Sequence, residues 1–152
     1  MSEPALARKA DGWSVESWVR FWGAPDPAVA RVRIPTIVRS DVVAFWPGGA
    51  PEVVGPQAYG DYVVALLRLV PDLKLRLEEY AVNGDSYFLR WTGSGTGPSG
   101  RFEMAGVDRV KLREGLVAEN RIYSDAAVFP LLASRRREDM KNARRETMIS
   151  PP

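Results

Sequence analysis

Between Leu73 and Asp125 four stretches, LKLRLEEYAV, SYFLRWTG, RFEMAGVDRVKLRE and LVAENRIYSD, follow one another with only short breaks. The first alternates apolar and polar residues, and the others are rich in β-branched and aromatic residues, so each reads as a half-buried strand. Four strands in succession make a meander with one apolar face, and the rest of the chain has to cover that face.

The remaining segments supply the cover. WSVESWVRFWG sets Trp13, Val15, Trp18, Val19 and Trp22 near helical spacing, with Ser14 as N-cap and Gly23 and the prolines of APDP as the stop. A second, weaker helix spans Ala28 to Arg39, broken by Pro35. DVVAFWP reads as a strand ending at Pro47. GPQAYGDYVVALLRLVPD carries Tyr59, Tyr62, Val63, Leu66, Leu67 and Val70 at helical intervals and is closed by Pro71. The order helix, helix, strand, helix, then four strands predicts an α+β fold, a curved antiparallel sheet with helices packed on one face. One domain over residues 12–133 is expected, with a loose leader over 1–11 and a basic, flexible or helical tail over 134–152.

Composition closes off several chemistries. The chain has no cysteine and no histidine. Thiol nucleophiles, zinc-thiolate sites, the Ser-His dyad and the usual general base are therefore excluded, and proton transfer falls to Asp, Glu, Tyr, Lys, Arg or water. No carboxylate pair shows ligand spacing, so no metal and no cofactor are expected. Residues 134–152 hold six basic side chains against three acidic ones, so with a net charge of +2 the other residues sum to −1. That balance is not a nucleic-acid-binding surface. No apolar run reaches the roughly 20 residues of a membrane helix, and MSEPALARKADG has no signal-length hydrophobic stretch, which sets a cytoplasmic default.

Period-two phasing of FEMAGVDRVKL puts Phe102, Met104, Asp108, Val110 and Leu112 on one face and Glu103, Arg109, Lys111 and Arg113 on the other. Asp108 is thereby the one carboxylate set among apolar side chains, where burial raises its pKa. Two readings of it stand: an acid or base for a ligand, or a strand-end Asp bonded to backbone amides or paired with Arg90 or Arg121. GSGTGPSG joins two strands and opens no helix, so it reads as a flexible connection, with a lid beside a cavity mouth as one use open to it, rather than a phosphate cradle. In the last strand Asn120 and Ile122 share one face, Arg121 and Tyr123 the other.

The run GVDRVKLREGLVAENRIYSD resembles the last hairpin of SnoaL-like proteins of the nuclear-transport-factor-2-like superfamily, and DVVAFWPGGAP and GPQAYGDYV resemble its first strand and third helix. The resemblance covers residues 13–130. It implies a cone-shaped fold with an apolar cavity, in a superfamily that holds ketosteroid isomerases, limonene epoxide hydrolases, scytalone dehydratases, polyketide aldol cyclases and non-catalytic members. By position, Asp108 matches the oxyanion-binding Asp of the isomerases and Arg90 the Arg of the epoxide hydrolases. Trp46 falls near the isomerase base, Trp18 near its Tyr, and Thr92 and Ile122 fall at the hydrolase carboxylates.

The resemblance thus implies a cofactor-free cyclase or isomerase for a hydrophobic, polyketide-like molecule, acting by a cyclisation, such as a cycloaddition, that needs little proton transfer. Asp108, Arg90 and Asn120 are the expected catalytic residues. Trp18, Trp46, Phe102, Met104, Ile122, Tyr59 and Tyr62 are the expected cavity lining, and the chain is expected as a homodimer with no nucleic-acid or membrane partner. The alternatives are a non-catalytic binding or dimerisation module of the same fold and a scaffold that engages an acidic partner through its tail.

Overall fold

The computed structural model describes residues 12–149. The elements run α1 (Val15–Gly23), α2 (Pro27–Ile37), β1 (Val38–Phe45), β2 (Val53–Val54), α3 (Pro56–Leu69), β3 (Lys74–Asn83), β4 (Ser86–Gly97), β5 (Gly100–Arg113), β6 (Leu116–Tyr123) and α4 (Val128–Ile149). The strands form one six-stranded sheet in the order β2-β1-β6-β5-β4-β3. Every neighbouring pair is antiparallel except β1 with β6, which run parallel, so the sheet is mixed rather than purely antiparallel. The exception follows from the connection. Between β1 and β6 the chain makes α3 and the whole meander, a crossover long enough to bring a strand back in the same direction.

Local chemistry accounts for the helix ends. Ser14 accepts from Ser17 N while the Ser17 hydroxyl serves the Ser14 amide, a reciprocal capping box. Asp26 caps α2 through Ala28 N and Val29 N, and Pro27 occupies the first turn, where its missing N–H costs nothing. Pro35 lies inside α2 instead of breaking it, two residues before the helix ends at Ile37. Gly60 of α3 has the Arg31 guanidinium and Ile34 of α2 3.4 and 3.9 Å from where a Cβ would stand, so its lack of a side chain lets the two helices close together.

The apolar sides meet in one core. Val15, Trp18 and Phe21 of α1, Ala30 and Ile34 of α2 and Tyr59, Val63, Leu66 and Leu67 of α3 pack against Val42, Ala44, Leu89, Trp91, Val110, Val117 and Ile122 of the sheet. The first turns of α4 join them through Val128, Phe129 and Leu132, whereas from Ser134 to Thr147 the helix is almost wholly exposed. The tail segment is thus the continuation of a helix rooted in the core, ending at Ile149. No described helix is long and apolar enough to cross a membrane.

The glycine-rich run takes a form other than the flexible connection expected of it. Gly93, Ser94, Gly95, Thr96 and Gly97 are the end of β4, paired with Gly100 through Met104. A Cβ on Gly93 would stand 2.5 Å from Leu75 Cδ2, and one on Gly95 would stand 2.4 Å from Val70 Cγ1. These glycines are there for close packing. Only Pro98 and Ser99 remain as the turn.

Candidate functional site

The sheet's inner face and the three N-terminal helices leave one narrow apolar cleft inside the fold. Trp13, Trp18, Phe21 and Trp22 close it from the α1 side, Arg33 and Ile34 come from α2 and Tyr59 from α3. Trp46, Asp108, Asn120 and Ile122 come from the sheet side. The cavity volume is about 50 Å³, enough for a few waters or the thin edge of a flat molecule.

Asp108 is the one carboxylate in this lining, and it is 7% exposed. Its partner is neither a backbone amide nor an arginine. The Trp91 indole Nε1 donates to Asp108 Oδ1 at 2.9 Å, in a bond wholly inside the core. Burial pushes the Asp108 carboxyl up from 3.8 to about 6, while the Trp91 N–H pulls the other way by favouring the charged form. The Trp18 and Asn120 side chains are near enough to favour the carboxylate as well, but neither completes a hydrogen bond of normal geometry to it.

Around this carboxyl lie polar atoms that the protein leaves without partners. Trp18 Nε1, Trp46 Nε1 and Asn120 Oδ1 are all buried and unbonded. Each such atom is costly in an apolar interior, and all three belong to residues that line the cleft. Asn120 Nδ2 donates to the Tyr59 hydroxyl at 3.0 Å. Desolvation holds the Tyr59 phenol up at about 12, so it stays an O–H donor at any ordinary pH.

Trp18, Trp46, Tyr59, Ile122, Asp108 and Asn120 therefore meet in one place. Four expected residues do not. Arg90 points to the outer face of the sheet, half exposed, and pairs with Glu79 at 2.6 Å, because its neighbours Leu89 and Trp91 take the inward phase of β4. Phe102 and Met104 pack at the far end of β5, and Tyr62 stacks on Trp46 with ring centroids 4.7 Å apart without reaching the cleft. Arg121 and Tyr123 face outward; the Arg121 guanidinium lies 3.8 Å over the Phe45 ring.

Sequence reasoning missed Trp91 as the partner of Asp108, Trp13, Phe21 and Trp22 as walls, and Arg33 as a charged lining residue. Among the described residues no group of three or more acidic side chains is arranged to hold a metal ion.

The fold recurs in solved structures. A protein described as a SnoaL-like polyketide cyclase from Jannaschia sp. CCS1 superposes with a TM-score of 0.64 at 20% identity, over 79% of this chain and 90% of that one. A protein of ketosteroid isomerase-like fold from Catenulispora acidiphila, in complex with trimethylamine, gives 0.65 at 10% identity over 79% and 91%. TsrD from Streptomyces laurentii gives 0.58 at 20% identity over 90% and 96%. At these identities the likeness is one of fold. A search of curated protein sequences finds no match. The SnoaL-like domain model matches residues 15–120, from α1 to the middle of β6, and so takes in the whole cleft except Trp13 and Ile122. The chain belongs to the SnoaL-like domain family, which includes cyclases and isomerases.

Proposed function

We propose that this chain is an enzyme of cyclase or isomerase type that works with its own side chains on a hydrophobic, conjugated small molecule. The observation that carries the reading is Asp108, a buried carboxyl with one oxygen tied to an indole, set in the lining of an aromatic cleft. With a pKa of about 6 it is ionised for the most part at neutral pH, yet close enough to its midpoint to give a proton back. The Tyr59 O–H and the two unbonded indole N–H groups are donors for a substrate oxygen on which negative charge develops.

The narrowness of the cavity refines the expected substrate. About 50 Å³ does not hold a folded polyketide chain, so a flat unsaturated portion would enter between the rings while the remainder stays outside, unless α1 parts from the sheet. Confining such a portion beside one acid/base group suits a cyclisation or double-bond shift with little proton traffic. A binding module without chemistry is the second reading, favoured by there being a single carboxylate in the lining.

The two readings separate on one variant. Small molecules retained by the purified protein are identified by mass spectrometry, and their conversion and binding are compared in wild type and Asp108→Asn. Catalysis predicts that kcat falls by about 10²–10⁴-fold while affinity changes little. Conversion at the wild-type rate, or none in either protein, removes Asp108 from catalysis.

A further inference from the structure

Arg33 is the one lining residue with a fixed positive charge, and nothing anionic answers it. It projects from α2 into the cleft, and among the described residues no carboxylate forms an ion pair with it. The other arginine of this helix turn, Arg31, is paired with Asp61 at 2.6 Å, so α2 treats its two guanidiniums differently. One Nη of Arg33 donates to the Ser17 carbonyl at 3.0 Å, and the guanidinium lies 5.4 Å from the Phe21 ring centroid. Those contacts fix the group's direction and leave the rest of its donor fork unused. Burial and the neighbouring Arg20 both lower its pKa, while Tyr59 opposes them.

A half-buried guanidinium with spare donors, at the edge of an aromatic slot, is matched chemically by a carboxylate or similarly planar anion. We infer that the cleft takes a flat unsaturated molecule bearing a carboxylate, with the anion on Arg33 and the apolar body between the tryptophan rings. The inference rests on the cleft being a small-molecule site, as proposed above, and adds the charge of the ligand. It also assigns the interior. The unbonded Trp18 and Trp46 N–H groups and Asn120 Oδ1 remain for neutral oxygen functions on the same molecule. Tyr59, in the same lining, is near enough to interact electrostatically with both Arg33 and Asp108.

The test uses trans-cinnamate and its neutral amide, cinnamamide, which share a slim conjugated body and differ in charge. Calorimetric titration of the full chain at low salt should give at least about tenfold tighter binding of the acid, the usual scale for hydrogen bonds to a charged group. Arg33→Met should bring the two to parity, and Arg33→Lys should keep part of the preference. Circular dichroism checks each fold. If Arg33→Met does not fold, the decision passes to wild type and Arg33→Lys, where the preference must shrink as salt rises. Equal affinity for acid and amide, a preference surviving in Arg33→Met, or one indifferent to salt overturns the inference and leaves the cleft as a neutral-ligand site. Absence of binding by both compounds overturns it together with the small-molecule reading.

Discussion

Asp108→Asn should be more stable than wild type at pH 7, and the advantage should vanish as the pH falls toward 4. The native carboxyl has its pKa raised from 3.8 to about 6, so between those values the folded chain binds a proton that the unfolded chain has released. Where the folded state holds more protons, stability falls as pH rises. The loss begins near the unfolded pKa and is complete above the folded one, and it amounts to about 3 kcal/mol. Asparagine keeps an oxygen for the Trp91 N–H and brings an amide that the unbonded Asn120 Oδ1 can accept from. Urea unfolding of both proteins from pH 4 to 8 reads the effect as a difference curve. Exposed acids whose pKa is lowered, such as Asp41 beside Arg39, and Asp72 bonded by Thr96, lose their own contribution in acid, but equally in both proteins. A flat difference curve would mean that position 108 is no more costly than a surface carboxylate.

That cost also bears on function. A chain that keeps a charged side chain in its core at the expense of stability has a use for it, since an amide of the same shape would fold better. The same residue that burdens the fold is the one that faces the unbonded indoles of the cleft.

The inward course of Asp108 was legible because β5 keeps a strict two-residue period, so Met104, Asp108 and Val110 share a face whatever the sheet order. Asn120 and Ile122 followed from β6 by the same rule. The rule also explains the failure at Arg90. Within β4 the buried residues are Leu89 and Trp91, and assigning Arg90 by resemblance to distant enzymes put it one position out of phase, which reverses the face. Arg33 gave no signal because α2 lacks a clean apolar stripe: Val29 and Val32 are exposed while Ala30 and Ile34 are buried. The partnership of Trp91 with Asp108 lay further out of reach, since it depends on the register of β4 against β5. Glycines misled in the opposite direction, read as slack where they are sites of tight contact.

A glycine outside that run controls the site. Gly106 pairs across the strands with Trp91, and an added Cβ would lie 2.5 Å from Trp91 Cζ2, 2.7 Å from Cη2 and 2.6 Å from the Tyr123 carbonyl oxygen. The ring can turn aside, but the carbonyl belongs to the β6 backbone and cannot. Gly106→Ala should therefore destabilise the protein by about 3 kcal/mol, the upper end for overpacking a core. The indole crosses Gly106 to reach Asp108 two residues along the same face. Displacing it would break the bond that favours the carboxylate, and the Asp108 pKa should rise further above about 6. Trp91→Phe removes that N–H without the clash and should raise the pKa in the same direction, so the pH midpoint of stability or turnover reports the lost bond apart from the strain. Gly23→Ala, where nothing lies within 4 Å of the new carbon, should stay within about 0.5 kcal/mol of wild type. If Gly106→Ala behaved as mildly as Gly23→Ala, with the midpoint unmoved, the indole would not be what positions the carboxyl. The cleft would then hold Asp108 by burial alone.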